Sequence, residues 1–301
     1  SCLNFSALKI GGTVTYCLII ILSLVANSLI VIIVSKTPNL KKTINYFIAN
    51  MASSDLLFPV FSIPFKLSLL HANSFLIGGQ LGQALCKLLP FFGNVSFVVS
   101  IQNLILTAVD RFGAVVFPLR SPLIRSKLCP FLILATWMFA IVFISPDLLA
   151  FELAEYPEGV RCVRRWKKVF GESLSFASLL LAYNILFAYI PDVVSHSFIR
   201  IKLKRESQWG GRFYAKDCTE RLSAVALSIG LIIIAIVSVL VLCWLPYNTN
   251  HLIIEYQDRS AHFSCSFQIY FAVTYFMINA YCAINLIICF MFSSNYRQGI
   301  K

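Results

Sequence analysis

Seven long apolar runs, separated by short polar or basic stretches, take up nearly the whole chain. They fall at roughly 13–35, 44–70, 87–112, 129–150, 173–199, 222–254 and 266–291. A helix needs ~20 mostly apolar residues to cross ~30 Å of hydrocarbon, and lipid offers no partner to a bare backbone N–H or C=O. Runs of this length therefore predict transmembrane helices. The composition agrees: 58% of the 301 residues are hydrophobic and 13% charged, against about half and about a quarter in soluble domains. The expected fold is an all-α membrane protein, a single seven-helix bundle over residues 1–301 with no room for a soluble catalytic domain. No cleavable signal peptide is read, and the first run is long enough to be the first helix.

A net charge of +12 could suggest nucleic acid, but the bases are sided. Lys36, Lys41 and Lys42 lie in or beside the first loop, and Arg111, Arg120, Arg125 and Lys127 in or beside the third. Arg200, Lys202, Lys204, Arg205, Arg212, Lys216 and Arg221 lie in the fifth, and Arg297 and Lys301 in the tail. By the positive-inside rule that side is cytoplasmic, which puts the N-terminus outside. Membrane lipid, not nucleic acid, is the expected neighbour. A second basic cluster, Arg161, Arg164, Arg165, Lys167 and Lys168, falls on the opposite side and weakens the asymmetry without reversing it. Asn4 opens a glycosylation sequon, Asn4-Phe5-Ser6, usable if it lies outside.

The ten cysteines show no paired CxxC spacing, so zinc is not expected. Cys17, Cys243, Cys282 and Cys289 fall within apolar spans, where a thiol behaves as a small hydrophobe. Cys86 and Cys162 lie at or just beyond extracellular helix ends, in an oxidising compartment where a bridge persists. Cys2 and Cys265 lie outside too and form a candidate second pair.

Polar groups in lipid are costly and mark function or interhelical bonding. Asp55 stands mid-span in the second run, where a lone carboxylate needs sodium, a proton or hydrogen-bond donors. Asn27, Ser100 and Asn285 lie at mid-depth in the first, third and seventh runs and can converge on it; plain helix-to-helix hydrogen bonding is the alternative.

Together with the Asp55 segment, several strings occur in order along the chain: Asn27, Cys86, Asp110-Arg111-Phe112, Trp137, Pro191, Cys243-Trp244-Leu245-Pro246-Tyr247 and Asn285-Leu286-Ile287-Ile288-Cys289. In this the chain resembles the rhodopsin-like (class A) G-protein-coupled receptors, over essentially its whole length. The resemblance implies a plasma-membrane receptor with a short cytoplasmic amphipathic helix at 293–300, a Cys86–Cys162 disulfide and a heterotrimeric G protein as partner. It implies that Asp110 restrains Arg111 at rest and that agonist frees Arg111 as the sixth helix swings about Trp244 and Pro246. Asn285 belongs to the same switch. Asp55, Ser100, Asn285 and Asn27 would form an allosteric Na+ pocket, the one cofactor-like ion expected. Pro118 and Leu119 would meet the G protein beside Arg111.

The chain also departs from the family pattern. Cys289 and Ile199 stand where tyrosines are common, and Ala226 where many relatives carry an acid that locks Arg111. These departures bear on signalling strength rather than on family.

Amine receptors place a carboxylate two turns below the cysteine of the third helix; here Gly93 stands there, followed by Asn94. Opsins hold retinal on a lysine at the position of Asn279, so no retinal is expected. A peptide ligand fits better. The segment around Cys162 resembles the β-hairpin of peptide receptors, and Glu255 aligns with an acid that pairs with a ligand arginine. Gly93, Asn94, Trp244, Tyr247, Glu255 and Asn279 are the expected ligand-binding residues. Asp147, Glu152, Glu155, Glu158 and Asp258 are read as negative potential at the mouth. The alternatives are a lipid or small organic acid drawn by Arg164, Arg165, Lys167 and Lys168 or, outside the receptor class, a transporter or channel. No internal repeat supports the last. His196 near Asp192 is the closest approach to a catalytic pair and nothing completes it, so an enzyme is not expected.

Overall fold

The first helix, α1 (Phe5–Lys36), is built inside out relative to a soluble amphipathic helix. Ile10, Val14, Leu18, Ile21, Val25, Leu29 and Ile32 form an exposed apolar stripe, while Ser23 and Asn27 are buried with Ile19, Ile30 and Val34. Spacings of three and four set both faces. Apolar side chains outward and polar ones inward suit a helix whose solvent is hydrocarbon.

The computed structural model describes residues 5–37, 43–72, 75, 77–116, 124–157, 159–171, 242–250, 252–253 and 265–292. The expected fifth span (173–199), most of the sixth (222–254) and the tail helix (293–300) lie outside the described residues. After α1 come α2 (Thr43–Ala72), α3 (Gly79–Val116), α4 (Cys129–Ile144), a short α5 (Asp147–Ala150), strands β1 (Phe151–Tyr156) and β2 (Gly159–Arg164), and α6 (Trp166–Phe170). Residues 242–250 are helical, and α7 (Cys265–Phe292) is the seventh span. Among the described residues, Lys9–Lys36, Asn45–Ser68, Gly79–Asp110 and Ser126–Ala150 are long and apolar enough to cross a membrane.

At the centre runs α3, with Val95, Phe97, Val98, Val99 and Ile101 all buried. Burial on every face marks a helix with neighbours all round, and α3 touches α2, α4, α5 and β1. It begins at Gly79, well before the expected start at 87, because its outer turns stand above the apolar run and anchor the hairpin. Gly93 is buried where α2 and α3 converge: a Cβ there would lie 2.6 Å from Ser62 Oγ.

The fourth span is not the continuous helix over 129–150 that hydropathy suggests. Its α-helix stops at Ile144, turns at Ser145–Pro146, and resumes as α5. Proline has no N–H and cannot extend the ladder; the Ser145 N–H reaches Val142 O at 3.3 Å instead, and the Ala150 N–H donates to Pro146 O at 3.2 Å. The break turns Asp147 inward.

Antiparallel β1 and β2 pair from Phe151↔Arg164 through Leu153↔Cys162 to Tyr156↔Gly159. A Cys86–Cys162 disulfide with Cα atoms 5.5 Å apart ties the hairpin to the outer end of α3. The Leu153 N–H donates to Gln83 Oε1 at 2.9 Å, and the Arg165 N–H to Ala150 O at 2.8 Å. Both strands of the hairpin are thus tied to α3, and the Arg165–Ala150 bond continues their ladder by one rung.

Candidate functional site

Mid-membrane, Asp55 is almost wholly buried, as are Ser23, Asn27, Ser54, Ser96 and Ser100. The Ser100 hydroxyl donates to Asp55 Oδ1 and shares a 2.8 Å contact with the Ser54 hydroxyl. The Asn27 amide donates to Ser23 O at 2.8 Å and Ser23 Oγ at 3.1 Å, and Ser23 Oγ donates to the Asp55 backbone carbonyl at 3.4 Å. Serines on facing helices convert an otherwise costly carboxylate into the junction of α1, α2 and α3. Among the described residues, the Ser100 and Ser54 hydroxyls beside the Asp55 carboxylate are oxygen donors that suit a hard cation.

Toward the cytoplasmic side, Asn50 joins three helices. Its amide donates to Asn103 Oδ1 at 3.0 Å, and its carbonyl accepts from Trp137 Nε1 at 2.9 Å. Asn50 and Asn103 were missed in the sequence reading, although two amides inside apolar runs were a signal in their own right. Further in, Asp110 is buried. Arg111 follows it on α3, and Asn285 and Cys289 lie on α7; their side chains are outside the described residues.

Above Asp55 lies an aromatic cluster centred on Trp244, which is 2% exposed. Its ring stacks on Phe97 with an interplanar angle of 17°, and meets Phe58, Tyr247 and Tyr281 edge-on at 6.3, 5.8 and 6.2 Å between centroids. Trp244 thereby contacts α2, α3 and α7 at once. Pro246 is part of the same helical stretch, 242–250.

Two polar constellations line the outer half. Lys66 on α2 donates to Asn279 Oδ1 on α7 at 3.1 Å, and its ammonium lies over the rings of Phe58 (5.6 Å) and Tyr275 (5.0 Å). The sequence reading passed over Lys66, one base within an apolar run. On the other side Asp147 is fully buried, accepts from Asn94 Nδ2 at 2.7 Å and pairs with Arg164 at 3.4 Å. Arg164 also stacks over Phe151 at 4.8 Å.

This corrects two expectations about charge at the mouth. Asp147 faces inward, not to the rim, and Glu152 pairs with Arg165 and with Lys168, the latter at 3.4 Å. The hairpin therefore neutralises much of its own charge, which removes the main attraction offered to an organic acid by Arg164, Arg165 and Lys168. Gly93 is a contact between helices, with no room for the carboxylate that an amine ligand needs. Asn4, Cys2, Pro118, Leu119, Ile199 and Glu255 lie outside the described residues, and with Cys2 the proposed Cys2–Cys265 pairing.

Comparison with known proteins places these features. Neuropeptide Y receptor type 2 of Sus scrofa is 28% identical over 298 residues, covering 94% of this chain and 73% of that protein, and its Homo sapiens counterpart gives the same figures. Galanin receptor 2b of Danio rerio is 27% identical over 292 residues, covering 96% and 73%. The family model described as 7 transmembrane receptor (rhodopsin family) matches residues 26–288. With its long apolar helices, its bridged hairpin and that match, the chain belongs to the rhodopsin family of seven-transmembrane receptors, multi-pass membrane proteins that transduce signals and are not enzymes.

Proposed function

We propose that this receptor binds an extracellular peptide in the outer half of its bundle and activates a heterotrimeric G protein from the plasma membrane, with its N-terminus outside and its C-terminus in the cytoplasm. The observation that carries the peptide reading is the β1–β2 hairpin laid beside the outer end of α3 by the Cys86–Cys162 bridge. The names of its relatives, receptors for neuropeptide Y and galanin, point the same way. Asn94, Tyr247 and Asn279 supply polar contacts, Trp244 the floor, and Glu255 an acid for a basic ligand side chain. Asn4 carries the glycan if the N-terminus is outside.

Activation is a two-state equilibrium, and a ligand shifts it only by its differential affinity for the two states. Trp244 packs on three spans, so a ligand bearing on Tyr247 or Phe58 acts on the packing that holds the sixth span. Pro246 removes a helix hydrogen bond beside it and provides the hinge. At the cytoplasmic end Asp110 holds Arg111 until the sixth span moves, and Arg111, Pro118 and Leu119 then meet the G protein. Asp55 and Ser100, with Asn285 and Asn27, would hold Na+, whose bound charge favours the compact resting arrangement.

The ligand class is tested by measuring G-protein activation in cells expressing this chain and challenged with neuropeptide Y, galanin, biogenic amines and lysophospholipids. A peptide response right-shifted about tenfold or more in Glu255→Ala is expected, an Arg–carboxylate pair being strong and directional. A response confined to amines or lipids would sink the peptide reading.

A further inference from the structure

Asn50, Asn103 and Asn279 each donate through the amide nitrogen and accept through the amide oxygen, so both ends of these side chains serve contacts within the protein. Asn94 does not follow that pattern. Its Nδ2 donates to Asp147 Oδ2 at 2.7 Å, while its Oδ1 makes no hydrogen bond among the described residues and the side chain is only half-buried.

Which end of Asn94 faces outward is set by chemistry. A carboxylate only accepts, so the amide turns its NH2 toward Asp147 and its oxygen away. Asp147 is itself held in place, fully buried behind the turn at Ser145–Pro146 and paired with Arg164 at 3.4 Å. A charge-assisted hydrogen bond is about twice as strong as a neutral one, which makes the reversed orientation of Asn94 the unfavourable one. The carboxylate also polarises the amide and strengthens its oxygen as an acceptor.

The charge of Asp147 is not offered unopposed, because the Arg164 guanidinium, a quarter exposed, stands beside it. A cation gains little from a pair that is already neutral. A group that only accepts, such as an ester oxygen, meets the Asn94 oxygen with like partial charge. A neutral N–H is the match. Asn94 stands about one turn outward of Phe97 on α3, and Phe97 carries the Trp244 ring. Leu148 and Ala150, on either side of this level in α5, pack in one apolar cluster with Phe97, Trp244 and Tyr247.

We propose that Asp147 is a positioning residue that fixes Asn94 as an outward-facing acceptor, so that the receptor selects a ligand with the N–H of a peptide amide at this depth over one with an ester there. This rests on, and deepens, the peptide reading of the outer half.

The test uses the full chain purified in detergent, titrated with hydrocinnamamide, with methyl hydrocinnamate, which lacks the N–H, and with the cation phenylpropylamine. The thermal unfolding midpoint is the readout. The amide is expected to bind about fivefold or more tightly than either of the others. Its preference over the ester is lost in Asn94→Ala and weakened in Asp147→Asn, where the new amide can turn either face to Asn94. Combining Asp147→Asn with Asn94→Asp restores it, since an oxygen then faces outward whichever way that side chain turns. A merely structural Asp147 would lower the midpoint of the unliganded chain in both Asp147→Asn proteins and leave the ratio unchanged. Equal binding of amide and ester, no shift from either, a cation bound as tightly as the amide, a preference surviving in Asn94→Ala, or a preference unchanged in Asp147→Asn overturns the proposal. Failure of the peptide reading shows separately, as silence of receptor-expressing cells to every peptide with the amide preference intact.

Discussion

Asp147 is fully buried between Asn94 and Arg164, so Asp147→Ala removes a buried acceptor shared by the half-buried Asn94 amide and the Arg164 guanidinium. A loss of about 2 kcal/mol is expected, read as a lower unfolding midpoint of the purified receptor. Glu152→Ala breaks contacts to Arg165 and Lys168 that are a third or more exposed and should cost less than about 1 kcal/mol. Equal effects from the two substitutions would contradict the burial argument. Both acids looked alike as rim charges in the sequence; the turn at Pro146, which decides where Asp147 points, has no signature in charge pattern. Lys66 was illegible for a related reason, since one base barely lowers the hydropathy of a long run. Asp55 and Ser100 were legible because polar groups at mid-depth on separate runs have few ways to be satisfied except by one another. Asn27 lies at the depth the sequence implied and is bonded to Ser23, which reaches the Asp55 backbone carbonyl.

At the scale of elements, Gly93 sets how closely α2 and α3 approach. Gly93→Ala places a Cβ 2.6 Å from Ser62 Oγ and should cost about 1–3 kcal/mol by overpacking. Adding Ser62→Ala removes that oxygen, leaves the Ser62 Cβ at an ordinary 3.9 Å, and should restore most of the loss in unfolding midpoint; no rescue would refute the contact. The hairpin depends on its bridge, which closes a loop 76 residues apart in sequence and is worth about 4 kcal/mol against the unfolded chain. Cys162→Ser should therefore lower surface expression and unfold β1–β2 locally, detectable as faster amide exchange at Leu153 and Val160; unchanged exchange would show the hairpin held by other contacts. Element existence was readable from apolar runs, as α1, α2, α3, α4 and α7 show. Element ends were not: α3 extends outward because a disulfide and Gln83 give its outer turns work above the membrane, and α4 stops early at a proline that a hydropathy window averages away.

In the whole molecule, the sites form a column from the mouth to the cytoplasmic face: Lys66 and Asp147, then Trp244, then Asp55 with Ser100, then Asn50 with Asn103, then Asp110. Above Asp110, each level joins different spans, so a rearrangement at one level bears on helices shared with the next. Asp55→Asn removes the charge at the Na+ pocket and is expected to abolish the sodium dependence of agonist affinity; dependence that persisted would place the ion elsewhere. The column's order was legible because the motif strings fall in sequence on successive spans. The partners across it, such as Lys66 with Asn279, were not, because they lie far apart along the chain. The measurement that bears most directly on the central claim is nucleotide exchange on added heterotrimeric G protein by the purified receptor in lipid nanodiscs, for the unaltered chain and for Arg111→Ala. Agonist-stimulated exchange by the unaltered chain that falls to the receptor-free rate in Arg111→Ala is the predicted result. Exchange that is indifferent to the receptor, or equal in the two proteins, would contradict the account.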